Sequence, residues 1–115
     1  MTTSKAVGEK ISLGIEANGN VTIEGIKEVP RTGDIRVDYT LTSQTITIRG
    51  DVTMLNCDQE RLTSLDISGC IALTMLNCSG NYLTSLDLSG CTALTELKCY
   101  NIRLTSLNVS GCTAL

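Results

Sequence analysis

The sequence predicts an all-β solenoid of parallel β coils, covered at its N-terminal end by an antiparallel β cap. Three observations carry this expectation. Residues 52–115 repeat themselves with a 21-residue period and no gaps. Within each unit the apolar residues alternate with polar ones at the period of a half-buried strand. No stretch reads as helix, because Thr, Ser, Asn and Gly fill the positions where helix formers would sit. The expected organisation is a β-rich cap over residues 1–50 and three repeats over residues 51–115, with an open C-terminal end.

The three units span residues 52–72, 73–93 and 94–114. Each splits into two runs. The first run is L-x-x-L-x-C, as in Leu73, Leu76 and Cys78; the second is L-x-x-L-x-[LIV], as in Leu83, Leu86 and Leu88. A four-residue corner, such as Ser79-Gly80-Asn81-Tyr82, separates the runs. Gly69, Gly90 and Gly111 mark the turn after the second. A single unit buries too few side chains to offset the entropy of ordering its backbone, so stacking is obligatory.

The pattern L-x-x-L-x-C-x-x-N-x-L-x-x-L-D-L resembles the short, 21-residue class of bacterial leucine-rich repeats, frequent in Bacteroidetes proteins. Residues 52–115 carry the resemblance, and the segment from Tyr39 to Thr53 is similar to the lead-in of such arrays. The resemblance implies a leucine-rich-repeat solenoid that binds proteins, on a secreted or cell-surface protein. The corner asparagine of the pattern survives only as Asn81, with Glu60 and Ile102 at the matching positions. The first and third corners must therefore satisfy their backbone in another way.

The cap alternates at period two. Ile11, Leu13 and Ile15 share one strand face, and Asn18-Gly19 reads as a two-residue hairpin turn leading to Val21 and Ile23. The segment from Val29 to Asp34 reads as a turn holding the only proline. Ile35, Val37, Tyr39 and Leu41 form a third run, and Ile46 and Ile48 a fourth. The expected result is an antiparallel meander whose last strand enters the first coil.

Composition excludes several functions. Nine basic against twelve acidic residues give a net charge of −3 without a basic block, which argues against nucleic acid and anionic membranes. Histidine is absent, removing the commonest general base and metal ligand. With three tyrosines as the only aromatics, stacking platforms are scarce. No apolar run approaches the length of a membrane span, and no signal peptide is visible. The repeat breaks off at Leu115, the first residue of a would-be fourth unit, which reads as a piece of a longer array.

Six cysteines form two columns, Cys57, Cys78, Cys99 and Cys70, Cys91, Cys112. They read as ladders of reduced, inward-facing thiols. Disulfides are the alternative, disfavoured because stacked parallel strands aim their Cβ vectors alike. Zinc fits less well, since there is no C-x-x-C pair. Asp66, Asp87 and Asn108 form a column flanked by serines, including Ser68. It reads as a solvated polar face, against a shared cation or an acid/base pair for hydrolysis. Arg49-Gly50-Asp51 is the tripeptide that integrin ligands present, and here reads as a turn into the first unit. No cofactor, metal or catalytic residue is expected.

The outward positions of the second run barely change between units, whereas those of the first run do. Met54, Asn56 and Asp58 become Met75, Asn77 and Ser79, then Glu96, Lys98 and Tyr100. The corner column Arg61, Tyr82, Arg103 offers a cation–π stack. Fixed positions suit a scaffold and variable ones suit recognition. The expected contact set for a protein partner is therefore Met54, Met75, Tyr82, Glu96, Lys98, Tyr100 and Arg103. The second expectation is a homo-oligomer formed through the uncapped C-terminal coil.

Overall fold

The computed structural model describes residues 1–33, 36–67, 70–100 and 104–112. Asp34, Ile35, Ser68, Gly69, Ile102, Arg103 and Leu115, to which the sequence assigns roles, lie outside the described residues. The described residues form strands β1 (Thr2–Thr3), β2 (Lys10–Ala17), β3 (Thr22–Glu24), β4 (Val37–Thr40), β5 (Thr47–Arg49), β6 (Val52–Asn56), β7 (Leu62–Ser64), β8 (Met75–Asn77), β9 (Ser85–Asp87), β10 (Glu96–Lys98) and β11 (Ser106–Asn108).

The first run of each unit gives β6, β8 and β10. They stack in parallel at the repeat spacing, Met54 beside Met75 beside Glu96 and Asn56 beside Asn77 beside Lys98. The register follows from the alternation, since a one-residue slip would turn Leu55 and Leu76, 3% and 0% exposed, out to water. A threonine ladder reinforces it. Thr74 places both its N–H and its hydroxyl on the Thr53 carbonyl (2.8 and 2.9 Å), and Thr95 repeats this on Thr74 (2.9 and 3.1 Å). Thr105 does the same on Thr84 (2.7 and 3.0 Å).

The expected solenoid of parallel coils is not what the chain forms. Among the described residues the strands fall into four separate sheets of two to five strands, none closed or curled into a coil. The largest is mixed, in the order β10-β8-β6-β2-β4, with β2 antiparallel to both β4 and β6. The second runs do not make one parallel ladder. Among the described residues of these runs, β9 and β11 pair in parallel, while β7 takes β1 antiparallel, Thr3 opposite Leu62. At the first unit, which follows no unit of its own kind, N-terminal strands running the other way take one edge each of β6 and β7.

The antiparallel meander is corrected as well. Strand β3 pairs with β5 rather than with β2. A two-residue type I′ turn needs positive φ at both central residues, and neither Asn18 nor Gly19 has it. Strand β2 is instead a central strand, with Ile11, Leu13 and Ile15 at 0–1% exposure. It obtains neighbours on both edges only from distant segments. The core runs without a break from these residues through Leu55, Leu62, Leu73, Leu76 and Leu83 to Leu94.

The first and second corners show how the backbone is satisfied. Asn81 is buried, and its Oδ1 accepts the N–H groups of Glu60 and Leu62, both at 3.0 Å. Its Nδ2 donates to the carbonyls of Cys57 and Cys78, both at 2.9 Å. One side chain thus serves two corners. On the other side of the first corner, the Thr3 hydroxyl donates to the Glu60 carbonyl at 2.7 Å. Gln59 and Arg61 take left-handed backbone conformations (φ 57° and 55°), where the second corner has Gly80 at φ 69°. Asn81→Ala should leave several buried groups unsatisfied. The expected loss is about 3 kcal/mol or more, read as a lowered urea midpoint with an unchanged slope.

Candidate functional site

The outward face of the five-stranded sheet collects the variable positions. Glu16, Met54, Met75 and Glu96 form one cross-strand row. Gly14, Asn56, Asn77 and Lys98 form the next. Met54, Met75 and Lys98 are half-buried, and Glu96 is exposed. Lys98 Nζ lies 4.0 Å from Glu96 Oε1 on the edge strand. Tyr100 continues β10 with its ring 65% exposed. Its backbone is held firmly: its N–H donates to Ser79 Oγ at 2.9 Å, and its carbonyl accepts from Gly80 at 2.8 Å. Tyr82 is 58% exposed, and its N–H donates to the Leu62 carbonyl at 2.8 Å. Arg61 is exposed beside that corner, and Arg103, the remaining member of the expected contact set, lies outside the described residues.

A second cluster, not anticipated from the sequence, bounds this face. The Arg36 side chain crosses Gly14, whose lack of a Cβ leaves the path open; an added Cβ would sit 3.3 Å from the Asn56 Cβ and 3.4 Å from the Arg36 Cγ. Arg36 then donates to the Ser12 carbonyl (2.6 Å), Ser12 Oγ (3.1 Å), Asn56 Oδ1 (3.3 Å) and the Asp58 carbonyl (3.2 Å). Its guanidinium pairs with the Asp58 carboxylate and lies 3.6 Å from Glu60 Oε2. Glu60, 8% exposed at its side chain, also takes the Ser12 N–H and the Lys5 ammonium, the latter at 3.3 Å. Two cations face two anions in a partly desolvated site, where a charge without its partner is expensive. The sequence does carry a signal for this cluster. A glycine within an apolar strand marks a close approach of other atoms, and Gly14 interrupts Ile11, Leu13 and Ile15.

The six cysteines are free thiols. Cys57, Cys78, Cys91 and Cys112 are buried, and Cys70 and Cys99 half-buried. The four buried thiols donate to the backbone of a neighbouring unit, for example Cys112 Sγ to the Leu88 carbonyl at 3.1 Å and Cys57 Sγ to that of Asn77 at 3.5 Å. Burial pushes the Cys78 thiol up to about 12 and the Cys91 thiol to about 11, with neighbouring thiols adding to the shift. Burial raises Cys57 and Cys70 too. Inert, protonated thiols of this kind fill space; they are poor nucleophiles and poor metal ligands.

In the Asp66, Asp87 and Asn108 column, Asp87 and Asn108 have a local explanation. Asp87 Oδ1 accepts the Ser89 N–H at 2.9 Å, which holds its carboxyl below the ordinary range. Asn108 Oδ1 accepts from Ser110 at 3.1 Å in the same way, as Asn77 does from Ser79 at 3.2 Å. The position requires an oxygen that closes an Asx turn, not a charge, which is why Asn replaces Asp. Where β7 departs toward β1, a cleft of about 240 Å³ opens between Ser64–Asp66 and Ser85–Asp87. Among the described residues no group of three or more Cys, Asp or Glu is placed to hold a metal ion. A second cavity, about 310 Å³, lies between the N-terminal strands and the first unit, walled by Ile46, Ile48, Val52, Leu55, Leu65 and Ile67.

In Arg49-Gly50-Asp51, Gly50 adopts φ 130° with the Asn20 carbonyl oxygen 2.6 Å from where a Cβ would stand. Only glycine fits this turn, and Arg49 lies 3.8 Å from Glu24. No helix among the described residues is long and apolar enough to cross a membrane. Comparison with protein-family models, curated proteins and solved structures finds no match for this chain.

Arg36→Met should cost about 2–3 kcal/mol. It strands Glu60 and Asp58, and the partial exposure of Arg36 keeps the loss below that of a fully buried pair. Urea unfolding of the variant measures it, and a change under about 0.5 kcal/mol would refute the role given to this cluster. The thiols make a separate expectation. In the unfolded chain they ionise near 9, whereas folded Cys78 keeps its proton to about 12. Unfolding in that window releases protons, so stability is intact below pH 9 and falls as pH rises through it. Within that window Cys78 contributes up to about 1.4 kcal/mol per pH unit. Cys78→Val should flatten the alkaline limb of stability against pH by about that slope.

Proposed function

We propose that the chain is a non-catalytic protein-interaction module whose contact surface is the outward face of β6, β8 and β10 together with Tyr82 and Tyr100. One observation carries this reading. The positions that vary between otherwise repeated units fall into two straight rows, Met54–Met75–Glu96 and Asn56–Asn77–Lys98, on one continuous sheet face. Beside them stands Tyr100, with an exposed ring on an immobilised backbone.

Methionine and tyrosine suit such a surface. Met adapts to varied apolar partners, and Tyr supplies a large contact area at low entropic cost. The opposite charges of Glu96 and Lys98 form a polar rim at one end, and the Arg36 cluster closes the other. The resemblance of residues 52–115 to short bacterial leucine-rich repeats supports the same reading by analogy, and puts the module on a secreted or cell-surface protein.

The test uses capture of a partner from a bacterial surface-protein fraction, its purification, and titration against wild type and Met75→Ser/Tyr100→Ala. The double variant should keep its urea midpoint within about 1 kcal/mol and lose at least about tenfold in affinity. Equal affinity would reject this face as the contact surface.

A further inference from the structure

The Asn18-Gly19 dipeptide, which makes no type I′ hairpin here, sits in a different chemical situation from the asparagines of the repeats. Asn18, Gly19 and Asn20 follow the end of β2 and are all exposed. Nothing lies within 4 Å of where a Cβ on Gly19 would stand. Among the described residues neither the Asn18 carboxamide nor the Gly19 N–H enters a hydrogen bond. The repeat asparagines are held. Asn81 is buried with both ends of its amide bonded, and Oδ1 of Asn56, Asn77 and Asn108 each accepts the backbone N–H two residues on. Cys, Tyr or Val follows each of these four, and Asn18 is the only asparagine of the chain followed by glycine.

We propose that Asn18-Gly19 is a self-modifying site. The Gly19 backbone nitrogen attacks Cγ of the Asn18 side chain, an approach that a side chain at position 19 would crowd and glycine leaves open. The N–Cγ bond forms, the Cγ–Nδ2 bond breaks, and Nδ2 leaves as ammonia with the Gly19 proton. The product is a five-membered succinimide. Solvent water then adds to one of its two carbonyls. Opening at Cγ leaves aspartate at position 18. Opening at the backbone carbonyl carbon leaves isoaspartate, in which the chain runs on through the former side chain.

The position gives the reaction a structural consequence. The Asn18 N–H donates to the Asp51 carbonyl at 3.0 Å, extending the β2–β6 ladder one residue past the pair of Ala17 and Val52. Two residues on, the Asn20 carbonyl oxygen lies 2.6 Å from where a Cβ on Gly50 would stand. The segment is thus pinned at both ends against the turn that joins β5 to β6. Isoaspartate puts one more carbon into the backbone between the two pins, so the segment no longer fits both. Either product also adds a carboxylate close to Asp51, and like charges repel.

Incubation of the folded protein at mildly alkaline pH, followed by peptide mapping, tests the proposal, with Gly19→Ala and Asn18→Gln in parallel. Gly19 is not left-handed and its Cβ position is open, so Gly19→Ala should fold as wild type does. In wild type the peptide containing Asn18 should show the mass gain of amide-to-acid exchange ahead of every other asparagine peptide. Its isoaspartate fraction should accept a methyl group from an isoaspartate-specific methyltransferase. Gly19→Ala should slow the conversion by about tenfold or more, and Asn18→Gln should remove it. In the separated isoaspartate form the amide of residue 18 should lose its protection from hydrogen exchange. An Asn18 peptide that stays unmodified overturns the proposal. So does an equal rate in Gly19→Ala, or an isoaspartate form that keeps that protection. None of these residues belongs to the contact set, so this result and the binding result are read separately.

Discussion

A strand inside a sheet must satisfy hydrogen bonds along both edges, and the first of three stacked units has a unit of its own kind on only one side. Most of what is irregular in this protein follows from that constraint. Strand β6 has β8 on one edge, and β2 supplies the other by running antiparallel, with a bulge between Glu16 and Ala17 that adjusts the register. Strand β7 faces the same shortage and takes β1. The N-terminal segment is therefore not a lid laid over a finished stack. It contributes strands to the same sheets, and its Ile11, Leu13 and Ile15 share one core with the repeat leucines.

The ionic cluster is the side-chain counterpart of that junction. Where a unit meets another unit, the corner is satisfied by Asn81, a neutral group that both donates and accepts. Where the first unit meets the N-terminal strands, the matching residue is Glu60, which can only accept. Its neighbours there are donors, namely the Ser12 N–H, Lys5 and Arg36. The substitution from asparagine to glutamate thus tracks a change in what lies beyond the corner. Gly14 leaves room for the Arg36 side chain, and Thr3 takes over the carbonyl at Glu60.

This division also explains what could be read in advance. The inward columns, the strand positions in each unit and the 21-residue offset between β6, β8 and β10 follow from local alternation, which a period displays directly. The closure of the coils was misread. Leu62 bonds the next unit through the Asn81 side chain and the Tyr82 N–H, while its strand partner is Thr3, 59 residues away, which local alternation does not reveal. Asn18-Gly19 misled for a related reason. The dipeptide permits a tight hairpin, but β2 gains more by lying between β4 and β6 than by folding back on β3. Of the contact set, the rows through Met54, Met75, Glu96 and Lys98 were legible because they vary against a fixed background. Arg36 was not, because nothing repeats at its position.

The β6 and β10 sides of the described parallel strands carry different chemistry. At the β6 end an antiparallel strand is already in place, anchored by buried charges whose partners all belong to the chain itself. At β10 two opposite charges, Glu96 and Lys98, stand where β6 and β8 carry Met and Asn. Charges on an edge strand oppose casual pairing with an arbitrary strand, since most registers leave them unmatched. The outward rows therefore change from neutral to charged at β10, a change carried by two substitutions in an otherwise repeated sequence.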